Sequence, residues 1–232
     1  MRGHGSSILI VDDEVALRQV LSARLTARGY VVHEAGTGED VLRIVPVVRP
    51  DVILLDIGLP DIDGIEVTRR LRPLFQTPII ILSVHAMESD KIAALDAGAD
   101  DYLTKPCDLQ DVLDRILTAL RRVSARGAEV FTTGDLVVDL KHQIVQVANN
   151  PVCLTAVEYD LLKVLVFNAG RLLTQRRLTQ EVWGERNEES ALPLLRTTMA
   201  TLRQKLDSDR SHPGHIATEP GVGYRLRIAT SN

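Results

Sequence analysis

The sequence lacks the features that would place a protein in a membrane or hold it together by disulfide bonds. No apolar run approaches the roughly 18 residues of a transmembrane helix, and no signal-peptide pattern opens the chain. The two cysteines, Cys107 and Cys153, lie far apart in the sequence, which argues against a disulfide framework. We therefore expect a cytoplasmic protein, in a reducing compartment, with no membrane partner.

The sequence also lacks a strong excess of positive charge. The formal net charge is −4; residues 1–129 hold 15 basic and 20 acidic residues, and residues 130–232 hold 12 and 11. Between Arg196 and Arg227, however, six basic residues stand against three acidic ones. Total charge therefore does not identify a nucleic-acid-binding protein, but this local concentration leaves that function open.

What the sequence does contain is a set of short apolar runs. The run Val52–Leu55 lies between Pro50 and Gly58, and it predicts a strand buried on both faces, as in a parallel sheet. Burying an unpaired carboxylate is costly, so we expect Asp56 where this strand leaves the sheet. That carboxyl edge is where open α/β sheets bind their ligands. We therefore predict that Asp56 accepts a phosphoryl group.

Similar runs alternate with helical patterns through the first half of the chain. The predicted strands cover residues 8–11, 31–34, 52–55, 78–83 and 101–104. The first predicted helix ends at Gly29, and the others cover residues 39–48, 65–71, 88–97 and 109–120. Pro46 is expected to end or kink the second helix early. Five strand-then-helix units imply an α/β domain with a doubly wound, five-stranded parallel sheet.

From Val130 the pattern changes, and the 232 residues suit a second domain. Strands predicted over 136–139 and 144–147, with a turn at 149–151, indicate antiparallel hairpins. Three helices should follow: one from a capping box at Thr155 through Phe167, a short one capped by Thr174, and a long amphipathic one over 191–206. Residues 216–219 and 224–226 then predict a terminal hairpin.

Acidic residues follow two of the predicted strands at the same sheet edge. Asp12 and Asp13 follow the first strand and Asp56 the third. Three converging carboxylates repel one another, and a divalent cation with oxygen ligands such as Mg²⁺ relieves that repulsion. Ser83 and Lys105 end two further strands and can contact phosphoryl oxygens. One acidic residue at a strand end is commonly solvated or a helix cap, but five suitable residues from four strands favour a site.

This set of residues, together with Pro106, resembles the receiver domain of two-component response regulators over residues 8–122. The resemblance implies that a sensor histidine kinase phosphorylates Asp56, and that the protein is no enzyme beyond slow self-dephosphorylation. It implies Mg²⁺ held by Asp13, Asp56 and the backbone of Gly58, with Asp12 acting through water. It also implies a cis peptide bond before Pro106.

The resemblance further implies a switch role for Ser83, Lys105 and Tyr102. In such receivers the aromatic residue swings inward when the serine hydroxyl moves onto the phosphoryl group. An ordinary half-buried strand tyrosine is the alternative for Tyr102, and the sequence does not separate the two.

The helix predicted over 191–206 has a polar face opposite its apolar stripe, which suits a helix in a DNA major groove. A solvated amphipathic helix is the simpler interpretation of this helix taken alone. The residues predicted to contact DNA are Arg196, Thr197, Thr201, Arg203 and Gln204 on the helix and Arg225 in the terminal hairpin. Arg203 would reach a phosphate or a guanine, and Arg225 the backbone or the minor groove.

The order of strands, three helices and terminal hairpin, with motifs at 173–176, 182–184, 202–206 and 221–225, resembles the winged-helix effector of the OmpR/PhoB family over residues 130–228. Residues 123–129 would be a linker. Within that family the chain most resembles the regulators of potassium-transport operons; another OmpR/PhoB-type regulon is the alternative. The family implies RNA polymerase as a partner and promoter DNA with a direct repeat.

Three opposite-charge pairs at the family's spacing predict that phosphorylated receivers form a homodimer through the fourth helix, fifth strand and fifth helix. The pairs are Lys91 with Asp111, Asp101 with Arg115, and Asp100 with Arg122. Ordinary charges on a helix surface are the alternative interpretation.

Two other functions compete with a phosphorylation-switched transcription factor. The first is a phosphatase or phosphotransferase with an aspartate nucleophile; such enzymes use an Asp-x-Asp pair at the first strand, whereas here the acidic pair is adjacent and Asp56 follows the third. The second is a receiver whose second domain binds protein or RNA. Binding to promoter DNA would distinguish a transcription factor from a receiver whose second domain binds protein or RNA.

Overall fold

The computed structural model describes residues 5–84, 86–125, 129–184, 188–207 and 214–229, and of residues 122–125 and 188–189 only the backbone. The chain divides into two compact units between Arg121 and Arg122. Within the described ranges, no helix is both long enough and apolar enough to cross a membrane.

The first unit is the predicted α/β domain, a five-stranded parallel sheet in the order β2-β1-β3-β4-β5. Its strands are β1 (Ser7–Val11), β2 (Val31–Ala35), β3 (Val52–Leu55), β4 (Ile79–Ser83) and β5 (Asp101–Thr104). Its helices are α1 (Val15–Thr26), α2 (Gly38–Val48), α3 (Gly64–Leu71), α4 (Glu88–Asp96) and α5 (Leu109–Ala125). Every residue of β3 and β4 is buried, as expected for central strands covered on both faces.

One helix of this unit passes through a proline that was expected to end or kink it, and another continues further than predicted. The prediction that Pro46 ends α2 early is wrong, because α2 passes through this proline and ends at Val48. Proline removes one amide donor from the last turns, but Val41 and Val45 on the same helix are fully buried, and their packing holds the helix in place. The helix α5 passes Leu120 and takes in residues 123–125 of the predicted linker, since no glycine or proline interrupts it there.

In its described residues, the second unit combines two antiparallel sheets with three helices. The first sheet contains β6 (Val130–Thr133), β7 (Leu136–Asp139), β8 (Ile144–Val147) and β9 (Asn150–Pro151). The helices are α6 (Ala156–Phe167), α7 (Gln175–Trp183) and α8 (Glu188–Leu206). The second sheet has the order β10-β12-β11 and contains β10 (Leu173–Thr174), β11 (Ile216–Glu219) and β12 (Gly223–Leu226).

The predicted apolar stripe of α8 forms part of the core of this unit. Leu195, Met199, Leu202 and Leu206 are each no more than 1% exposed. The helix begins three residues before the predicted Ala191. The terminal hairpin is joined to the rest through Gly223, where an added Cβ would lie 1.8 Å from the carbonyl oxygen of Leu173. A glycine is therefore required for β12 to pair with β10.

A buried glutamate joins the start of α6 to the end of α8. The predicted capping box is present: the Glu158 N–H donates to Thr155 Oγ1 (3.4 Å), and the Glu158 carboxylate accepts from the Thr155 N–H (2.7 Å). The same carboxylate accepts from Lys205 Nζ (2.6 Å) and lies beside Thr201. Burial raises the pKa of Glu158, but these donors outweigh it and bring the pKa to about 2.

We predict that Glu158→Gln lowers the free energy of unfolding of the second unit by about 2 kcal/mol at pH 7, because it removes a buried charged hydrogen bond. The folded-state pKa lies below the usual value of 4.5. The contribution of the Glu158 carboxylate to the free energy of unfolding is therefore complete above pH 4.5 and disappears as the pH falls towards 2. Trp183, the single tryptophan, lies in α7, so its fluorescence during urea unfolding follows this unit.

Glu129→Gln is the matched control for this measurement, because Glu129 forms a highly exposed ion pair with Lys141, and such pairs contribute little. The control should unfold like the wild type. A difference between the Glu158→Gln variant and the wild type that stays constant between pH 7 and pH 2 would contradict the assignment.

Candidate functional site

The sheet topology brings three carboxylates together at one edge of the first unit. Asp12 and Asp13 follow β1 and Asp56 follows β3, which pairs with β1. One carboxylate oxygen from each lies within 4.8 Å of the others. Asp12 and Asp56 are buried, whereas Asp13 is exposed, so the cluster is open to solvent on the Asp13 side. Receiver domains generally bind Mg²⁺ at such a cluster, and hard carboxylate oxygens are the ligands this ion prefers.

Lys105 supplies the positive charge of the cluster. Its Nζ lies 2.5 Å from Asp12 Oδ2 and 3.1 Å from Asp56 Oδ2. Burial lowers the pKa of Lys105, but Asp12 and Asp56 outweigh burial and raise the pKa above its usual value. The side chain is therefore an ammonium ion at neutral pH. The peptide bond between Lys105 and Pro106 is cis, as the resemblance implied.

Backbone contacts fix the two buried carboxylates. Asp12 Oδ1 accepts from the Glu14 N–H (3.0 Å), and Asp56 Oδ1 accepts from the Ile57 N–H (2.9 Å). These contacts leave Oδ2 of each residue directed at Lys105. Gly58 lies beside this oxygen of Asp56, since a Cβ at Gly58 would be 3.8 Å from it.

The sequence analysis missed two residues that position the cluster. The Arg18 guanidinium donates to the backbone carbonyl of Asp12 and lies 3.6 Å from a Glu34 carboxylate oxygen, so it ties the β1–α1 connection to β2. An added Cβ at Gly64 would lie 2.2 Å from the Asp56 carbonyl oxygen, so a glycine is required there. The Asp63–Gly64 dipeptide at the start of α3 was an available signal for Gly64; the spacing of Arg18 matched no motif.

Ser83 and Tyr102 lie together on neighbouring strands. Ser83 is fully buried at the end of β4, and Tyr102 on β5 is 6% exposed. Their side chains are hydrogen-bonded; burial raises the pKa of Tyr102 and the Ser83 contact partly offsets this. The tyrosine is thus more buried than the half-buried alternative, and its contact with the serine is compatible with the switch role, which stays a prediction.

Three of the residues predicted for the dimer interface form ion pairs within the chain: Asp100, Asp101 and Arg115. Asp101 Oδ2 lies 3.3 Å from Arg115 Nε. Asp100 is buried, and its Oδ2 accepts from Arg72 Nη2 and from the Ile79 N–H, both at 2.9 Å. Lys91 is on α4 and Asp111 on α5, and the Arg122 side chain lies outside the described residues. The interface stays a prediction, and in it the buried Asp100 carboxylate would have to reach Arg122 of a second chain.

The residues predicted to contact DNA separate into two groups. Arg196, Thr197 and Gln204 are exposed on α8. The others have partners within the domain: Thr201 Oγ1 donates to the Thr198 carbonyl (3.0 Å), Arg203 Nη2 to the Ile216 carbonyl (3.0 Å) and Thr218 Oγ1 (2.6 Å), and Arg225 Nη1 to the Gly170 carbonyl (3.2 Å). DNA contacts by these residues stay predictions.

Comparison with known proteins gives both units a family. The chain matches the family "Response regulator receiver domain" over residues 8–117 and "Transcriptional regulatory protein, C terminal" over residues 149–226. The receiver domain of Francisella response regulator 1452 has a similar structure, with a TM-score of 0.50 at 31% identity, covering 51% of this chain and 99% of that one.

Two relatives extend the similarity over nearly the whole chain. The chain is 45% identical over 225 residues to the KDP operon transcriptional regulatory protein KdpE of Escherichia coli (strain K12), covering 96% of this chain and all of that protein. It is 42% identical over 222 residues to the transcriptional regulatory protein KdpE of Mycobacterium tuberculosis (strain ATCC 25618 / H37Rv), covering 94% and 98%.

These matches decide between the competing functions. The second unit is a DNA-binding output domain, so the alternatives of a protein- or RNA-binding domain and of a classical phosphatase or phosphotransferase are wrong. With a receiver sheet followed by a winged, DNA-binding domain, the chain belongs to the OmpR/PhoB-type family of two-component response regulators.

Proposed function

We propose that a sensor histidine kinase phosphorylates Asp56 and that phosphorylation promotes a dimer that binds promoter DNA. The observation that carries this proposal is the contact of Asp56 Oδ2 with Lys105 beside two further carboxylates. Oδ1 of Asp56 accepts from a backbone N–H, whereas Oδ2 faces the Lys105 ammonium that would pair with a phosphoryl oxygen, so we assign Oδ2 as the oxygen that attacks the phosphorus atom. The bond from phosphorus to the kinase imidazole breaks as the new bond to Oδ2 forms.

The neighbouring residues suit the charge that this transfer creates. Asp12, Asp13, Asp56 and the Gly58 backbone would hold Mg²⁺, which neutralises phosphoryl charge when bound. Lys105 already lies against the receiving carboxylate and can pair with a phosphoryl oxygen. The Ser83 hydroxyl would contact another oxygen, with Tyr102 following it inward. We expect the acyl phosphate to be lost by slow self-dephosphorylation.

Incubation with acetyl phosphate and Mg²⁺ should add one group of about 80 Da, stable in acid and labile in base, as expected of an aspartyl phosphate. Asp56→Asn should abolish this adduct in intact-mass measurements, and chelation of the cation should suppress it. Asp114→Asn, which changes an exposed acidic residue of α5, is the control and should label fully. Full labelling of the Asp56→Asn protein would refute the phosphosite.

The proposed dimer uses α4, β5 and α5. Asp101 and Arg115 already attract each other within one chain, and in the dimer each would meet the opposite residue of the second chain. Exposed ion pairs contribute only about 0–1 kcal/mol each. Lys91 with Asp111, and the remaining pairs, would therefore set the register and the choice of partner more than the affinity.

Arg115→Glu should reduce dimerisation of the phosphorylated protein in sedimentation experiments, because it places two acidic groups together. Adding Asp101→Arg should restore part of the dimer. Arg43→Glu changes an exposed arginine on α2, outside the proposed interface, and should leave dimerisation unchanged. Wild-type sedimentation of the Arg115→Glu protein would exclude this interface.

For DNA recognition we propose that α8 enters the major groove with Arg196, Thr197 and Gln204, its exposed predicted residues. The β11–β12 hairpin would form a wing over the backbone or minor groove, where Arg225 would contact DNA. Two effector domains would bind a direct repeat in tandem and engage RNA polymerase from there. The similarity to the KdpE proteins supports a potassium-transport operon as the target, with another OmpR/PhoB-type regulon as the alternative.

Repeat centres about 10–11 base pairs apart place both recognition helices on one face of the DNA. Inserting about five base pairs, half a turn, between the half-sites should therefore abolish cooperative binding in gel-shift titrations. Inserting a full turn restores the face and is the control for distance alone. Undiminished cooperativity on the half-turn operator would refute the tandem arrangement but not DNA binding.

A further inference from the structure

We propose that Arg203 is a positioning residue, which fixes the β11–β12 hairpin against α8 and does not itself contact DNA. This inference rests on the proposed roles of α8 as recognition helix and of the hairpin as wing. It replaces the phosphate or guanine contact that the sequence predicts for Arg203.

The contacts of the guanidinium all lie on the hairpin side. Nη2 donates to the Ile216 carbonyl (3.0 Å) and to Thr218 Oγ1 (2.6 Å). The central guanidinium carbon lies 5.3 Å from the centroid of the Tyr224 ring, within the range of a cation–π interaction. Nε is buried and has no hydrogen-bond partner among the described residues. The guanidinium of this partly buried arginine is thus bonded to the hairpin, with its Nε enclosed and its Nη2 on β11.

The strand ladder explains why the Ile216 carbonyl needs such a donor. The Arg227 N–H donates to the His215 carbonyl, and hydrogen-bonded pairs alternate with non-hydrogen-bonded pairs along an antiparallel ladder. Ile216, opposite Leu226, therefore forms a non-hydrogen-bonded pair, and its carbonyl points away from β12. Since β11 is at the edge of its sheet, no strand of the described residues donates a hydrogen bond to this carbonyl, and Arg203 Nη2 donates to it instead.

Thr218 and Tyr224 form the second half of the attachment. They lie directly opposite each other on β11 and β12, in a non-hydrogen-bonded pair whose side chains are close together on one face. The guanidinium binds the hydroxyl of one and lies near the ring of the other. A single side chain of α8 therefore holds both strands of the hairpin.

Arg196 provides the comparison on the same helix. It precedes Arg203 by two helical turns and so lies on nearly the same side of α8, but it is exposed. Of these two arginines, Arg196 is the one placed to reach DNA. Arg203 would increase affinity indirectly, because a wing held in place before binding loses less conformational freedom when it meets the duplex.

Arg203→Gln in the full-length protein tests this proposal, because it removes the charge and the forked donor. We expect the amide hydrogens of Ala217 and Arg225, which pair in the ladder, to exchange about tenfold faster in the free protein, as a loosened hairpin requires. Operator affinity should fall about tenfold with an unchanged salt dependence, since no phosphate contact is lost.

Arg196→Gln is the matched control, with the same substitution on the same side of α8. It should leave hairpin exchange unchanged and lower the slope of log affinity against log salt by about one. If the Arg203→Gln protein shows unchanged amide exchange in the hairpin, or a slope of log affinity against log salt that is lower by about one, Arg203 is a DNA contact and the proposal is overturned.

Two substitutions at Thr218 keep the proposal testable if the Arg203→Gln protein does not fold. Thr218→Val removes the acceptor hydroxyl but keeps the shape, and should speed exchange of the same amides about threefold. Thr218→Ser keeps the hydroxyl and should exchange like the wild type. Equal exchange in both variants would overturn the proposal. Because exchange is measured without DNA, a failure of the wild type to bind the operator would refute the proposed function separately.

Discussion

Repulsion among carboxylates at one sheet edge is the constraint on which the first unit depends. Parallel strands β1 and β3 bring Asp12, Asp13 and Asp56 within 4.8 Å, and such a cluster is tolerated only with opposite charge or donors nearby. Lys105 and two backbone N–H groups meet that need. The charge that stabilises the resting cluster is therefore the same charge that the proposed phosphoryl group would engage.

The second unit uses buried charge for a different purpose, to fix the direction of a helix. Glu158 holds the end of α8 through Lys205, and Arg203 holds the hairpin beside it. Moving the partner of a buried charged group away costs free energy, because the charge is left without its hydrogen bond. These contacts therefore fix the orientation of the groups they join, whereas the apolar stripe of α8 packs without a preferred direction. The stripe buries the helix, and the charged contacts set the position of its neighbours.

The sequence predicted most of the fold because the relevant signals are local. Buried strands, helix caps and the capping box at Thr155 are each contained in a few consecutive residues. The acidic edge could be predicted because parallel strands end together. The intramolecular contacts of Arg18 and Arg203 could not be predicted, since their partners come from other elements and only the packed structure brings them close. The prediction that Pro46 ends α2 early was wrong for a related reason: tertiary packing of α2 overrides the low helix propensity of proline.

The ion pair between Asp101 and Arg115 has a consequence for the assembly of the regulator. Each residue is already satisfied inside its own chain, so forming the proposed dimer exchanges one partner for an equivalent one and leaves the number of these ion pairs unchanged. Dissolved salt weakens the inner and the exchanged pair alike. The contribution of this pair to the proposed dimer would therefore change little with ionic strength.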